Sequence, residues 1–185
     1  MTETERATHR VEIEGVEREL PLFEVAPKLR IAVFNLLGDT EVVEAAATGL
    51  ARLLEDVDAD VLMTAETKSV PLVYELARRM GKPWVVLRKQ YKPYMGETVT
   101  AETVSITTGH PQTLHLDEKD LALVEGKGVV LVDDVISTGS TLDGMRTVVR
   151  LARGRVLAEA AVFTEGDAEQ VEGIISLGHL PLFPG

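Results

Sequence analysis

Two carboxylates stand side by side at Asp133 and Asp134, directly after the apolar run Val129 to Val132 and just ahead of Ser137, Thr138, Gly139, Ser140 and Thr141. Adjacent like charges repel and small hydroxyl residues bury little, so packing alone explains such a stretch poorly. Ligand chemistry explains it better. If the apolar run is a central strand, the two acids lie at its carboxyl end, where open α/β sheets bind ligands. The hydroxyl and glycine loop then turns into a helix beginning near Leu142, and backbone N–H groups at a helix start suit a phosphate. Carboxylates beside that loop can accept hydrogen bonds from vicinal hydroxyls or hold a metal, so a sugar phosphate satisfies both halves. The plainer alternative is that the acids end a strand and Ser140 or Thr141 caps the helix. A nucleoside triphosphatase loop is not indicated, because "STGSTL" has neither the lysine nor the glycine spacing of that motif.

These residues need elements to position them. "ADVLMTAETKSVPLVYELARRMGKPWVVLRKQ" reads as strand, loop, helix and strand, with the helix from about Ser69 to Met80 and Gly81 as its stop. Upstream, Asp39 or Thr40 starts an amphipathic helix with apolar positions at Val43, Ala46 or Ala47, Leu50, Leu53 and Leu54. Downstream, Leu142, Met145, Val148, Val149 and Ala152 recur at helical spacing, with Gly154 as the stop, before the strand "VLAEAAVFT". Strands alternating with helices predict an α/β fold, a central parallel sheet with helices on both faces. "RVEIEGVERELPLFEV" reads as a hairpin or extended arm, and residues 89–109 begin a long excursion with hairpin-like pieces. Residues 1–9 are expected to be mobile, and 10–185 to form one domain.

The chain has 185 residues, no cysteine and a formal net charge of −11. Disulfides and thiolate chemistry are excluded, and an acidic surface argues against nucleic-acid or anionic-membrane partners. The charged N-terminal stretch does not read as a signal peptide, no apolar run reaches membrane-spanning length, and a cytoplasmic setting is expected. The four histidines lack metal-ligand spacing. Trp84 and Tyr74 read as core.

"VVLVDDVISTGSTL" resembles the phosphoribosyl-pyrophosphate signature of the type I phosphoribosyltransferases, and "TAETKSVPLVYELARRMGKPWVVLRKQYKPYMGETVTAE" is similar to the adenine branch of that family. The resemblance covers roughly Leu29 to Phe183 and implies the type I phosphoribosyltransferase fold, with residues 10–36 as an arm or hood and residues 89–109 as a flexible lid. It implies that Asp133 and Asp134 bind ribose hydroxyls, directly or with Mg²⁺ through water or substrate. Val135, Ile136, Ser137, Thr138, Gly139, Ser140 and Thr141 would hold the 5-phosphate. Glu66, Thr67, Lys68 and Ser69 would form the pyrophosphate loop, with a cis peptide near Glu66–Thr67. Arg88, Lys89 and Lys92 would face the pyrophosphate, with Arg88 joining the two aspartates in the catalytic set; as ordinary residues they would be a solvated strand end. Phe34 and Phe183 are candidates to clamp the base, with core packing as the alternative role.

The chain departs from the family pattern at three places. Thr107 stands where adenine enzymes carry a lid glutamate, Ser137 where hypoxanthine and guanine enzymes carry an aspartate, and Ser69 where glycine is usual. The expected function is therefore purine phosphoribosyl transfer, adenine-type first, from phosphoribosyl pyrophosphate to a nucleobase, by a homodimer. The alternative is a catalytically silent protein of the same fold that binds phosphoribosyl pyrophosphate or a nucleotide and regulates, and a weaker rival is another base on the same scaffold.

Overall fold

The computed structural model describes residues 6–104 and 111–184. Its centre is a five-stranded parallel sheet of β4 (Val61–Ala65), β5 (Trp84–Leu87), β8 (Gly128–Ile136), β9 (Arg155–Glu165) and β10 (Ile175–Leu180), in the order β10-β9-β8-β4-β5. Side chains of β8 alternate between two cores. Val130 and Val132 face α1 (Thr40–Leu53), α2 (Val70–Met80) and an N-terminal sheet, while Val129 and Leu131 face α4 (Ser140–Leu151). A strand buried on both faces must read as an unbroken apolar run, which is why the acids that end it stand out.

The N-terminal sheet contains β1 (Thr8–Ile13), β2 (Val16–Ala26), β3 (Leu29–Ala32) and the short β11 (Phe183–Pro184), in that order. The hairpin turns at Glu14 and Gly15, joining Ile13 to Val16. Thr8 and His9, expected to be mobile, instead pair with Pro21 and Leu20, so the ordered hood begins before residue 10. Its apolar face, Val11, Ile13, Leu20 and Leu22, closes over α1 and the sheet.

Arg18 ties hood to helix. Its Nε donates to Asp39 Oδ2 at 2.7 Å and its Nη2 to Asp39 Oδ1 at 3.0 Å, while Asp39 Oδ1 also accepts from the Val42 N–H and so caps α1. The hydrogen bond from Arg18 is the main cause that holds the Asp39 carboxyl below its usual value.

On the other face, β6 (Val99–Val104) and β7 (Pro111–Leu116) form an antiparallel hairpin, as expected for part of the long excursion, and pack against α4 and the sheet. Close approach requires Gly144: a Cβ there would lie 2.0 Å from Thr103 Cγ2 and 3.0 Å from Leu114 Cδ1. α3 is a single turn, Leu121–Val124.

Two local expectations are corrected. Trp84 and Tyr74 are 37% and 52% exposed, stacked edge to face on the surface rather than in the core. Trp84 opens β5, the edge strand of the sheet, and Tyr74 lies on the outer face of α2 beside it. The left-handed residue after α4 is Arg153, with φ 60°, not Gly154. Gly154 is instead a contact residue, since a Cβ would come within 2.9 Å of the Val124 carbonyl oxygen.

Two stability predictions follow from these contacts. Asp39→Ala should cost about 1–2 kcal/mol near neutral pH, mostly the lost cap with a screened ion-pair share. Because the folded Asp39 carboxyl is depressed, the ion-pair share is complete above the unfolded value of about 4 and is lost as pH falls through the lower folded value. Urea midpoints of wild type and variant should therefore converge toward acid pH. Gly144→Ala should lose about 1–2 kcal/mol by overpacking against buried Thr103, despite alanine's better helix propensity, as read by the same midpoints.

Candidate functional site

Strand order places the site. From β4 the chain crosses through α2 to β5 on one side, and from β8 it crosses through α4 to β9 on the other. The loops after β4 and β8 therefore diverge, leaving a crevice at the carboxyl ends of the strands. Pairing between β4 and β8 is confined to Val61–Met63 with Val129–Leu131. Beyond it the strands part, and a cleft of about 340 Å³ opens between Glu66, Thr67, Lys68 and Ser69 on one wall and Asp133, Asp134 and Thr141 on the other, with Lys89 at the edge.

Ser69 joins the walls. Its hydroxyl donates to Asp133 Oδ1 at 2.5 Å and accepts from the Asp134 N–H at 2.9 Å. A serine at the N-cap of α2 ordinarily bonds the helix's own N–H groups, but Ser69 makes no such cap. Burial and the adjacent charge of Asp134 push the Asp133 carboxyl well above its usual range. Lys68 Nζ lies 2.6 Å from Asp134 Oδ2 as an ion pair whose alignment leaves that oxygen without a hydrogen-bond donor.

A smaller adjoining hollow of about 50 Å³ is lined by residues 135–142. Gly139 is the N-cap of α4 in the left-handed region, φ 73°, which a side chain would strain. No side chain caps this helix, so Ser140 and Thr141 do not serve the capping role that the plainer reading gave them. The first N–H groups of α4 thus open onto the hollow with the positive end of the helix dipole, an arrangement suited to a phosphate.

The cations are arranged unequally. Arg88 Nε donates to Glu66 Oε2 at 2.6 Å, and the Lys89 N–H donates to Glu66 Oε1 at 2.6 Å. Glu66 thus turns the loop back onto the end of β5 and offsets half of its positive charge. The Glu66–Thr67 peptide is cis, where the resemblance placed it. Lys92 is exposed at the start of a 3-10 turn, Pro93–Met95, and does not line the cleft. Phe34 is 4% exposed and stacks edge to face on Phe163, the core position of the two weighed for it. Phe183, half-buried on β11, stacks on His9 across the hood. Thr107 and the other lid positions from 105 to 109 lie outside the described residues.

Two titratable residues at the ends of β9 and β10 escaped the motif reading. Glu165 ends β9, and His179 on β10 shares a hydrogen bond with Thr164 Oγ1, 3.0 Å from its Nδ1. Their signal was present only in the strand order, which sets β9 beside β8.

A phosphoribosyl transferase domain model matches residues 38–172. The purine biosynthesis transcriptional repressor PurR of Bacillus subtilis is 30% identical over 121 residues, 65% of this chain and 42% of that protein. The transcriptional activator PurR of Lactococcus lactis is 28% identical over 77% of this chain and 51% of that protein, so the chain spans about half the length of these relatives. An adenine phosphoribosyltransferase of Butyrivibrio fibrisolvens is 31% identical over 144 residues, 78% of this chain and 77% of that enzyme. The crystal structure of adenine phosphoribosyltransferase from Thermoanaerobacter pseudethanolicus superimposes with a TM-score of 0.68 at 23% identity, covering 94% and 95% of the two chains, and shows the shared fold. With the acid pair, the uncapped helix and the loop after β4 converging on one crevice, the chain belongs to the phosphoribosyl transferase domain family.

Proposed function

We propose that the protein transfers the 5-phosphoribosyl group from phosphoribosyl pyrophosphate to a purine base, adenine-type, releasing pyrophosphate. The observation that carries this reading is the convergence of Asp133 and Asp134, the open N-terminus of α4 and the loop 66–69 around one cleft. The N–H groups and hydroxyls of residues 137–141 hold the 5-phosphate. Asp133 and Asp134 accept hydrogen bonds from the ribose hydroxyls, with Ser69 fixing the first carboxylate. A ring nitrogen of the base forms the new bond to C1 of the ribose as the bond to the pyrophosphate oxygen breaks, and the nitrogen's proton passes to solvent or a base. Lys68 and Lys89 line the cleft and face the charge that develops on the departing pyrophosphate, while Arg88, outside the lining, is paired with Glu66.

The donor set suits Mg²⁺. Asp133 and Asp134 would supply hard oxygen ligands to it. When bound, Mg²⁺ offsets charge on the pyrophosphate. The lid expected at residues 89–109 would exclude water from the reacting carbon, with Val99–Val104 within that span forming β6 packed on α4. We place the protein in the cytoplasm as a homodimer, as the family resemblance suggests; among the described residues no helix is long and apolar enough to cross a membrane.

A second reading has its own support: the PurR matches, together with Thr107 and Ser137 where purine enzymes of the family carry carboxylates, favour a ligand-sensing protein that binds without turnover. The two differ in one assay. Supplied with phosphoribosyl pyrophosphate, Mg²⁺ and adenine, hypoxanthine, guanine, xanthine or uracil singly, the enzyme releases pyrophosphate with adenine first. Tight donor binding with no release for any base selects the sensor. Asp134→Asn should weaken donor binding by about tenfold or more, and Ser69→Ala by about three- to tenfold, in calorimetric titrations, since each removes a charged or buried hydrogen bond.

A further inference from the structure

The direction of displacement at the ribose locates the acceptor. This step rests on the proposed transfer reaction. β8, which carries the acid pair, has β4 on one side and β9 on the other. The loop that faces the leaving pyrophosphate follows β4. A nucleophile that displaces a leaving group in line must approach the carbon from the opposite side, so the base comes from the β9 side of the crevice, beneath the hood.

At that place stands Glu165, the last residue of β9, one position beyond the Ile136–Thr164 pair. Phe163, two residues earlier, packs on Phe34 in the hood-side core, while Ile136, the β8 partner of Thr164, packs in the opposite core, which leaves Glu165 on the hood side. Glu165 is half-buried, and among the described residues no hydrogen bond or ion pair occupies its carboxylate. Its backbone neighbour Gly166 donates to the Leu180 carbonyl at 3.3 Å, beside the link from β10 to the hood. Burial raises the Glu165 carboxyl, against the opposing fields of His179 and Lys68, the groups that face it from β10 and from the pyrophosphate loop. A half-buried carboxylate without a partner costs desolvation that a ligand N–H would recover.

We propose that Glu165 is a specificity-determining residue, its carboxylate accepting a hydrogen bond from the exocyclic amine of the acceptor base. Adenine offers that donor, and a purine without an amine does not.

The test compares ribose 5-phosphate, AMP and purine riboside 5′-monophosphate, which lacks the amine, by calorimetry on wild type, Glu165→Gln and Glu165→Ala, with melting curves to establish folding. AMP should bind wild type about tenfold tighter than the amine-free nucleotide, a charge-assisted hydrogen bond; Glu165→Ala should abolish most of that difference, and Glu165→Gln, whose amide oxygen still accepts, should keep part of it. Ribose 5-phosphate should bind all three proteins alike. If ribose 5-phosphate binds but wild type does not prefer AMP, or Glu165→Ala retains the full preference, the role of Glu165 is overturned while the transfer reading stands. If ribose 5-phosphate does not bind the folded wild type, the transfer reading fails and the inference with it.

Discussion

Everything at the site depends on holding two neighbouring carboxylates at the crest of a strand that is otherwise wholly apolar. Asp134 is buried and Asp133 half-buried beside it, and their mutual repulsion disfavours having both ionised. The fold reduces that cost with the Ser69 hydroxyl on Asp133 and the Lys68 ammonium beside Asp134. Both partners come from the loop after β4, so the register of β4 on β8 governs the site's electrostatics as well as its shape. Ligand hydroxyls and a divalent cation are the natural completion of an arrangement that the protein alone only partly satisfies.

The same economy recurs among the cations. In a chain of net charge −11, the loop 66–69 and the end of β5 gather Lys68, Arg88 and Lys89, yet Asp134 and Glu66 hold two of the three in ion pairs. A polyanionic donor must compete with these internal acids, and the protein is thereby spared a fixed cluster of unpaired positive charge. Hood, α1 and α2 share one core, which fixes the start of α2 and therefore Ser69.

Local signals in the sequence carry much of this. The two acids, the hydroxyl loop, the stop of α2 at Gly81 and the cap at Asp39 all depend on neighbours within a few residues, and each lies where the chain's own pattern put it. Strand alternation with helices likewise foretold the parallel sheet. The misplaced residues depend on distant partners. Thr8 and His9 are ordered only because Pro21 and Leu20 pair with them, and Tyr74 and Trp84 are exposed because no third layer covers that edge. Ser69's contact with Asp133 spans 64 positions, and Glu165 matters only once β9 is known to flank β8. Composition and periodicity hold no record of such pairings.

The most direct measurement is a crystal structure of the protein with ribose 5-phosphate. The account predicts the phosphate at the N-terminus of α4, within hydrogen-bond reach of residues 137–141, and the ribose hydroxyls on Asp133 and Asp134, with Ser69 still bonded to the first carboxylate. A phosphate seated elsewhere, with the two aspartates free of the sugar, would contradict it.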